Sequence, residues 1–257
     1  MHCRLPGPLR LFSLKAFASF YTVNLAEAEN SIESYQSIGA FFVRRLKPGA
    51  RPVASAKVLH PADSVISAAG IISRGEMLQV KSRPYSVAQI LASSARAQAL
   101  EAGFFATYYL CPTDYHRVHS PVSGKIISVD HLPGRLWPVF KKSVESIANL
   151  FAVNERMVVT IETELGLVSV VFVGALNVGK IELAFDSGFS SQVPGVKEKR
   201  TQNYAIPISI QAGQELGLFQ MGSTVVVFYP KAFESVLTKS RWESQVGQAV
   251  KVGSGCY

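Results

Sequence analysis

Apolar positions recur at steps of three and four near the start of the chain and again between residues 86 and 102, whereas elsewhere they gather in short β-branched runs. Residues 9 to 25, LRLFSLKAFASFYTVNL, mix Leu, Phe and Tyr with basic residues. Asn30 then offers an N-cap for a second helix, in which Ile32, Tyr35, Ile38 and Phe42 form one stripe before Pro48 and Gly49 stop it. Two such helices either dock on a core or lie on lipid, with Lys and Arg at head-group level and Phe and Leu below.

From about residue 52 the runs VLHPADSVISAAGII, MLQVKSR, FFATYYL, KIISVD, MVVTIET, LVSVVFVG and STVVVFY predict strands. One helix is expected over 86 to 102, capped by Ser86, with Val87, Ile90, Leu91 and Leu100 inward. Residues 185 to 201, rich in Gly, Ser and Pro with three basic residues, read as a mobile connection. A faint echo between SPVSGKIISVDHLPGRL and QAGQELGLFQMGSTVVV hints at a duplicated β unit. The fold class is therefore α+β: a β-rich antiparallel domain over 47–257, preceded by N-terminal amphipathic helices over 1–46.

Composition narrows the partners. Apolar residues make up 48% of the 257 positions and charged ones 17%, the balance of a packed globular protein rather than a disordered one. Lys and Arg outnumber Asp and Glu by 26 to 18, favouring anionic phospholipid or nucleic acid. The basic residues are scattered, apart from Arg44, Arg45, Lys47 and Arg51 and the run Lys197, Lys199, Arg200, with none of the aromatic interleaving of single-strand binders. Nucleic acid is thus set aside. Cys3, Cys111 and Cys256 form neither a disulfide framework nor a zinc site and point to a reducing compartment. Arg10 and Lys15 interrupt the greasiest stretch, so neither a spanning helix nor a secretory signal peptide is expected.

Two places carry candidate chemistry. His116 and His119, two of only five histidines, lie three apart in TDYHRVHSPVSG, and in a strand or tight loop that spacing gives them different faces and separate jobs. Asp114 and the other histidines supply no recognisable further metal ligands, so no metal is expected. Further on, Gly222 and Ser223 stand before a strongly apolar strand. A hydroxyl can attack the preceding carbonyl in an N-to-O acyl shift if the backbone is distorted, which Gly222 permits, and if a base takes the proton. An isolated GST triplet is far more often an ordinary turn.

The blocks FFVRRLKPGARPV, HPADSVI, YHRVHSPVSGKI, LFAVNERMVV, VGALNVGKI and GQELGLFQMGSTVVVF, in this order, closely resemble the phosphatidylserine decarboxylases. The resemblance implies a proenzyme that cuts itself between Gly222 and Ser223 into a long β chain and a short α chain headed by a pyruvoyl group made from Ser223. It implies that Asp63, in the PAD motif, and His119 act with Ser223 as a protease-like triad for the cut, and that His116 handles the proton delivered during decarboxylation. The pyruvoyl would form an imine with the amine of phosphatidylserine and accept the electrons left by carbon dioxide, so no diffusible cofactor is needed. A peripheral protein on the cytoplasmic face of a bacterial cell membrane follows, drawing its substrate from anionic membranes, with a homodimer left open. Two positions depart from the family pattern: Ser64 replaces a glycine, putting any positive φ there in doubt, and Met221 replaces a leucine of similar volume.

Two rival readings remain: a serine hydrolase that never cuts itself, although no GxSxG elbow is present, and a non-enzymatic lipoyl- or biotinyl-like β-sandwich scaffold, although no lysine stands at an evident hairpin tip.

Overall fold

A computed structural model describes residues 7–78, 84–176, 180–220 and 224–256. Its α-helices are α1 (Gly7–Phe20), α2 (Ile38–Phe42), α3 (Val87–Leu91), α4 (Ser94–Ala99), α5 (Lys141–Ser146), α6 (Leu150–Val153) and α7 (Lys239–Glu243). The strands are β1 (Ser64–Ile71), β2 (Glu76–Leu78), β3 (Pro84–Ser86), β4 (Phe104–Tyr109), β5 (Arg117–His119), β6 (Gly124–Leu132), β7 (Arg156–Thr163), β8 (Gly166–Val173), β9 (Ile181–Leu183), β10 (Arg200–Ile210), β11 (Glu215–Phe219), β12 (Thr224–Tyr229) and β13 (Ala249–Val250).

Eight strands pair antiparallel in the order β10-β6-β7-β8-β12-β4-β1-β13. The apolar runs of β4, β8 and β12 are continuous rather than alternating because these central strands are covered on both faces, and every residue of β12 is buried. β10, by contrast, is an edge strand with mostly exposed positions, and it carries Pro207 where its pairing with β6 skips from Asn203 to Ile208. That polar pattern kept β10 from being legible as a strand. A second, three-stranded sheet has the order β5-β11-β9. At its centre, Gly217 lies so close to its neighbour that an added Cβ would sit 2.4 Å from the carbonyl oxygen of Glu182. Only glycine fits there. In the chain, β11 of the small sheet is followed directly by β12 of the large one.

The expected helices form in pieces. The stripe after Asn30 becomes a 3-10 turn, Ile32–Ser34, and then α2, because Tyr35 is extended and Ser37 takes over as N-cap, accepting the amide of Ala40. The stripe residues Ile32, Tyr35 and Phe42 are nevertheless buried. The helix expected over 86 to 102 is likewise split: Ser86 caps α3, Ala92 ends it in the left-handed region, and Ser93 caps α4. Val87, Ile90, Leu91 and Leu100 all face inward as expected.

The stretch 185–201 is not a loose connection at its middle. Ser191 accepts the amide of Ile181 on its hydroxyl, Arg200 donates to the carbonyl of Ser190, and the Arg200 guanidinium lies over the Phe189 ring. The two halves of the sequence echo are built differently: the first supplies β6 of the large sheet, whereas the second supplies β11 of the small sheet and the start of β12 of the large one. Ser64 opens β1 opposite Val250, outside the positive-φ positions, with its hydroxyl donating to the Ala62 carbonyl. A serine is therefore accommodated there without strain.

The N-terminal layer has a small core of its own, built from Leu14, Ala18, Val23, Ile32, Tyr35 and Phe41. α1 also exposes Leu9, Phe12 and Phe20. Among the described residues no helix is long and apolar enough to cross a membrane.

Candidate active site

The small sheet brings both histidines beside β11. The amide of Phe219 donates to the carbonyl of His116, and His119 faces Glu215 across the β5–β11 ladder. The PAD loop closes on the other side, where the amide of His119 donates to the carbonyl of Pro61.

The two imidazoles are held in the same tautomer. His116 Nδ1 lies 2.9 Å from the carbonyl oxygen of Asp114, and His119 Nδ1 lies 2.7 Å from that of Gly213. A carbonyl only accepts, so each Nδ1 carries the proton and each Nε2 presents a lone pair. His119 Nε2 receives the Tyr115 hydroxyl at 3.3 Å. Among the described residues His116 Nε2 is buried without a partner. Phe42 of α2 packs on the His116 ring with centroids 3.9 Å apart, and the residue is wholly buried. Burial pushes the His116 pKa down to about 3, the Asp114 carbonyl opposing. Burial also lowers that of His119, with the Gly213 carbonyl and the charges of Glu215 and Asp63 opposing. Both are thus neutral near pH 7.

Asp63 is 1% exposed and fully engaged elsewhere. Arg51 grips both its oxygens from Nε at 2.9 and 3.0 Å, Lys251 reaches Oδ2 at 3.1 Å, and the Val252 amide donates to Oδ1 at 3.0 Å. Burial raises its pKa, but Arg51, the Val252 amide and Lys251 outweigh it and hold the carboxyl below its usual range. Among the described residues Asp63 and His119 share no hydrogen bond: the Gly213 carbonyl occupies the imidazole nitrogen that a triad aspartate would take. The Asp63 charge still reaches both histidines, raising the pKa of each.

Two arginines of the basic cluster go inside rather than to the surface. Arg51 joins Asp63 to Glu27 of the N-terminal layer, 2.8 Å away. Arg44 is 5% exposed, lies over the Phe41 ring and donates one bond, to the Thr113 carbonyl. Among the described residues its Nε and Nη1 are buried without partners, and burial lowers its pKa. An uncompensated buried guanidinium is costly and marks a place for an anion. The readable signal for both residues is an arginine set among apolar or proline neighbours, in FFVRRL and ARPV.

Met221, Gly222 and Ser223 lie outside the described residues. Their flanks are anchored: Phe219 to His116, the Gln220 amide to the Lys180 carbonyl, and Thr224 between Tyr109 and Val173. Among the described residues the Thr224 hydroxyl is buried without a partner. Among the described residues no group of three His, Cys, Asp or Glu is placed to hold a metal ion.

An α+β body with two neutral, carbonyl-fixed imidazoles where its two sheets join has the makings of an enzyme of acid–base chemistry. Residues 38–256 match the family model described as phosphatidylserine decarboxylase. The chain is similar to the phosphatidylserine decarboxylase proenzyme of Anaeromyxobacter sp., with 38% identity over 98% of this chain and 88% of that one. Similar matches are found to the proteins of the same name from Methylobacillus flagellatus, with 42% identity over 88% and 81%, and from Saccharophagus degradans, with 40% over 84% and 76%. The chain belongs to the phosphatidylserine decarboxylase family.

Proposed function

We propose that this chain decarboxylates phosphatidylserine to phosphatidylethanolamine after cutting itself between Gly222 and Ser223 and turning Ser223 into a pyruvoyl group. Family membership supports the reaction. The observation that carries the site assignment is the pair of neutral histidines, each with Nδ1–H fixed on a backbone carbonyl and Nε2 turned to other work.

In the cut, His119 Nε2 takes the hydroxyl proton as Ser223 attacks the Gly222 carbonyl, forming an ester as the amide bond breaks. Gly213 keeps the tautomer, and Asp63 adds a negative field without touching the ring. Loss of the Cα proton at residue 223 then expels the carboxylate of Gly222, and hydrolysis of the resulting enamine releases ammonia and leaves a ketone.

That ketone supplies an electron sink for the pair left behind by carbon dioxide. His116, whose Nε2 has no partner among the described residues, handles the proton delivered to the carbon that loses the carboxylate. Arg44 offers its two open donors to the phosphodiester. The carboxylate is a poorer partner, since holding it would stabilise the charge the reaction must discharge. The region 1–46 faces the membrane, with Leu9, Phe12 and Phe20 of α1 meeting lipid, as suits a peripheral protein on the cytoplasmic face of a bacterial membrane.

Intact mass and activity test the scheme. Wild type is expected as fragments of about 24 and about 4 kDa. Ser223→Ala and His119→Ala are expected as one chain of 27.9 kDa. His116→Ala is expected to be cut yet to decarboxylate at least about 100-fold more slowly. A wild-type chain that stays whole and hydrolyses esters would establish the hydrolase reading instead.

A further inference from the structure

A second surface carries lipid-facing chemistry. Between β6 and β7, Trp137 and Phe140 are 41% and 46% exposed, and Leu176, just after β8, is 57% exposed. Leu136, Trp137, Pro138, Ile147 and Leu176 line an apolar groove of about 630 Å³ with Arg135 at its rim. The Arg135 guanidinium lies 6.0 Å from the indole centroid, and Lys141 and Lys142 open α5 beside Phe140, both exposed. Residues 133–149 carry a single acid, Glu145, against these three cations.

The exposure is built into the fold. The side chain of Asn154, wholly buried, accepts the Trp137 amide at 3.0 Å and donates to the Trp137 carbonyl and the Gly174 carbonyl, each at 2.8 Å. Beneath, Val144, Leu150 and Phe151 belong to the main core. The indole is thus held on a rigid footing rather than on a loose loop.

We infer that this face is a second membrane contact, seated on the surface of an anionic bilayer with Trp137 and Phe140 at the interface and Arg135, Lys141 and Lys142 among the head groups. Charge and side-chain type select that occupant: amphipathic Trp beside Lys and Arg favours the head-group level, and each cation adds attraction to anionic lipid. Position agrees. Leu176, at the groove, precedes Lys180 by four positions in the chain, and the Lys180 carbonyl holds the Gln220 amide that leads toward the proposed cut. The inference rests on the reading that the substrate is a bilayer lipid.

The chain has two tryptophans, and Trp242 is 2% exposed with its indole N–H on the Phe105 carbonyl, so a lipid-induced emission change reports Trp137. Wild-type protein is titrated with vesicles of phosphatidylcholine, with and without phosphatidylglycerol, while sedimentation reads total binding. Expected are a blue shift and quenching by brominated acyl chains on phosphatidylglycerol vesicles, absent in Trp137→Phe. Paired Lys141→Glu and Lys142→Glu substitutions, both at exposed positions, should weaken vesicle binding at least about tenfold. Sedimentation with vesicles while the Trp137 emission stays unchanged would overturn this surface, as would a blue shift that follows protein concentration without lipid, which would make the face a contact between copies. Decarboxylation of phosphatidylserine dispersed in detergent tests the underlying reading separately: activity there with a silent Trp137 removes only the surface, and no activity removes the reading.

Discussion

At the scale of single residues, the site depends on keeping two imidazoles uncharged. The unfolded chain binds a proton at His116 near pH 6.5, the folded chain only near 3, so this group's contribution to stability is full above about 6.5 and declines as pH falls toward 3. The depressed carboxyl of Asp63 acts in the same direction at still lower pH, its contribution being lost as it protonates. Phe42→Ala removes the ring that seals His116 and is expected to cost about 3–5 kcal/mol. It should also raise the His116 pKa from about 3 toward 6.5, followed by NMR titration of the imidazole. An unchanged titration would show that other groups exclude the water. The histidines were legible because they are few and closely spaced. Arg44 and Arg51 were legible only as charge, since their places depend on contacts that chain closure creates: Arg51 bridges Glu27 to Asp63, and Asp63 in turn waits for Lys251 and Val252. The expected hydrogen-bonded triad rested on family resemblance, and nothing in the residue spacing signals that the Gly213 carbonyl lies on His119 Nδ1.

At the scale of elements, inward faces were read more accurately than boundaries. The stripe residues of the second and third helices are buried, Ile38 only partly, but each helix is broken where a serine offers a fresh cap, Ser37 in one and Ser93 in the other. A cap hydrogen bond costs a chain little to adopt, so periodicity alone does not reveal the break. Strands β4, β7, β8 and β12 were legible from dense β-branched and aromatic runs, while β5 and β9 are three residues long and β10 opens on four polar residues, Arg200 to Asn203, and is interrupted by Pro207. The small sheet that carries the histidines was therefore the part least visible in the sequence. Its weak point is Gly217. Gly217→Ala forces a Cβ against the Glu182 carbonyl and should destabilise the protein by about 1–3 kcal/mol while slowing maturation, measured together by thermal melting and by the rate at which the cut appears.

At the scale of the molecule, strand order follows from long-range pairing that local pattern does not encode: β12 lies between β8 and β4, with β13 beyond β1 at the far edge. The segment beginning at Ser223 therefore contributes a central strand, the buried Trp242 and two ligands of Asp63. Matured protein unfolded in denaturant and then diluted should regain decarboxylase activity poorly and in a concentration-dependent way, whereas Ser223→Ala should regain its circular dichroism as a single chain at any dilution. Equal, concentration-independent recovery of both would mean that the two fragments stay associated while unfolded.

With the proposed cut made, the central place of β12 turns assembly into a one-time event: the keystone is mortared in before the nick, and a copy that loses its shape regains it only when its two pieces meet again, so upkeep falls to new synthesis more than to repair.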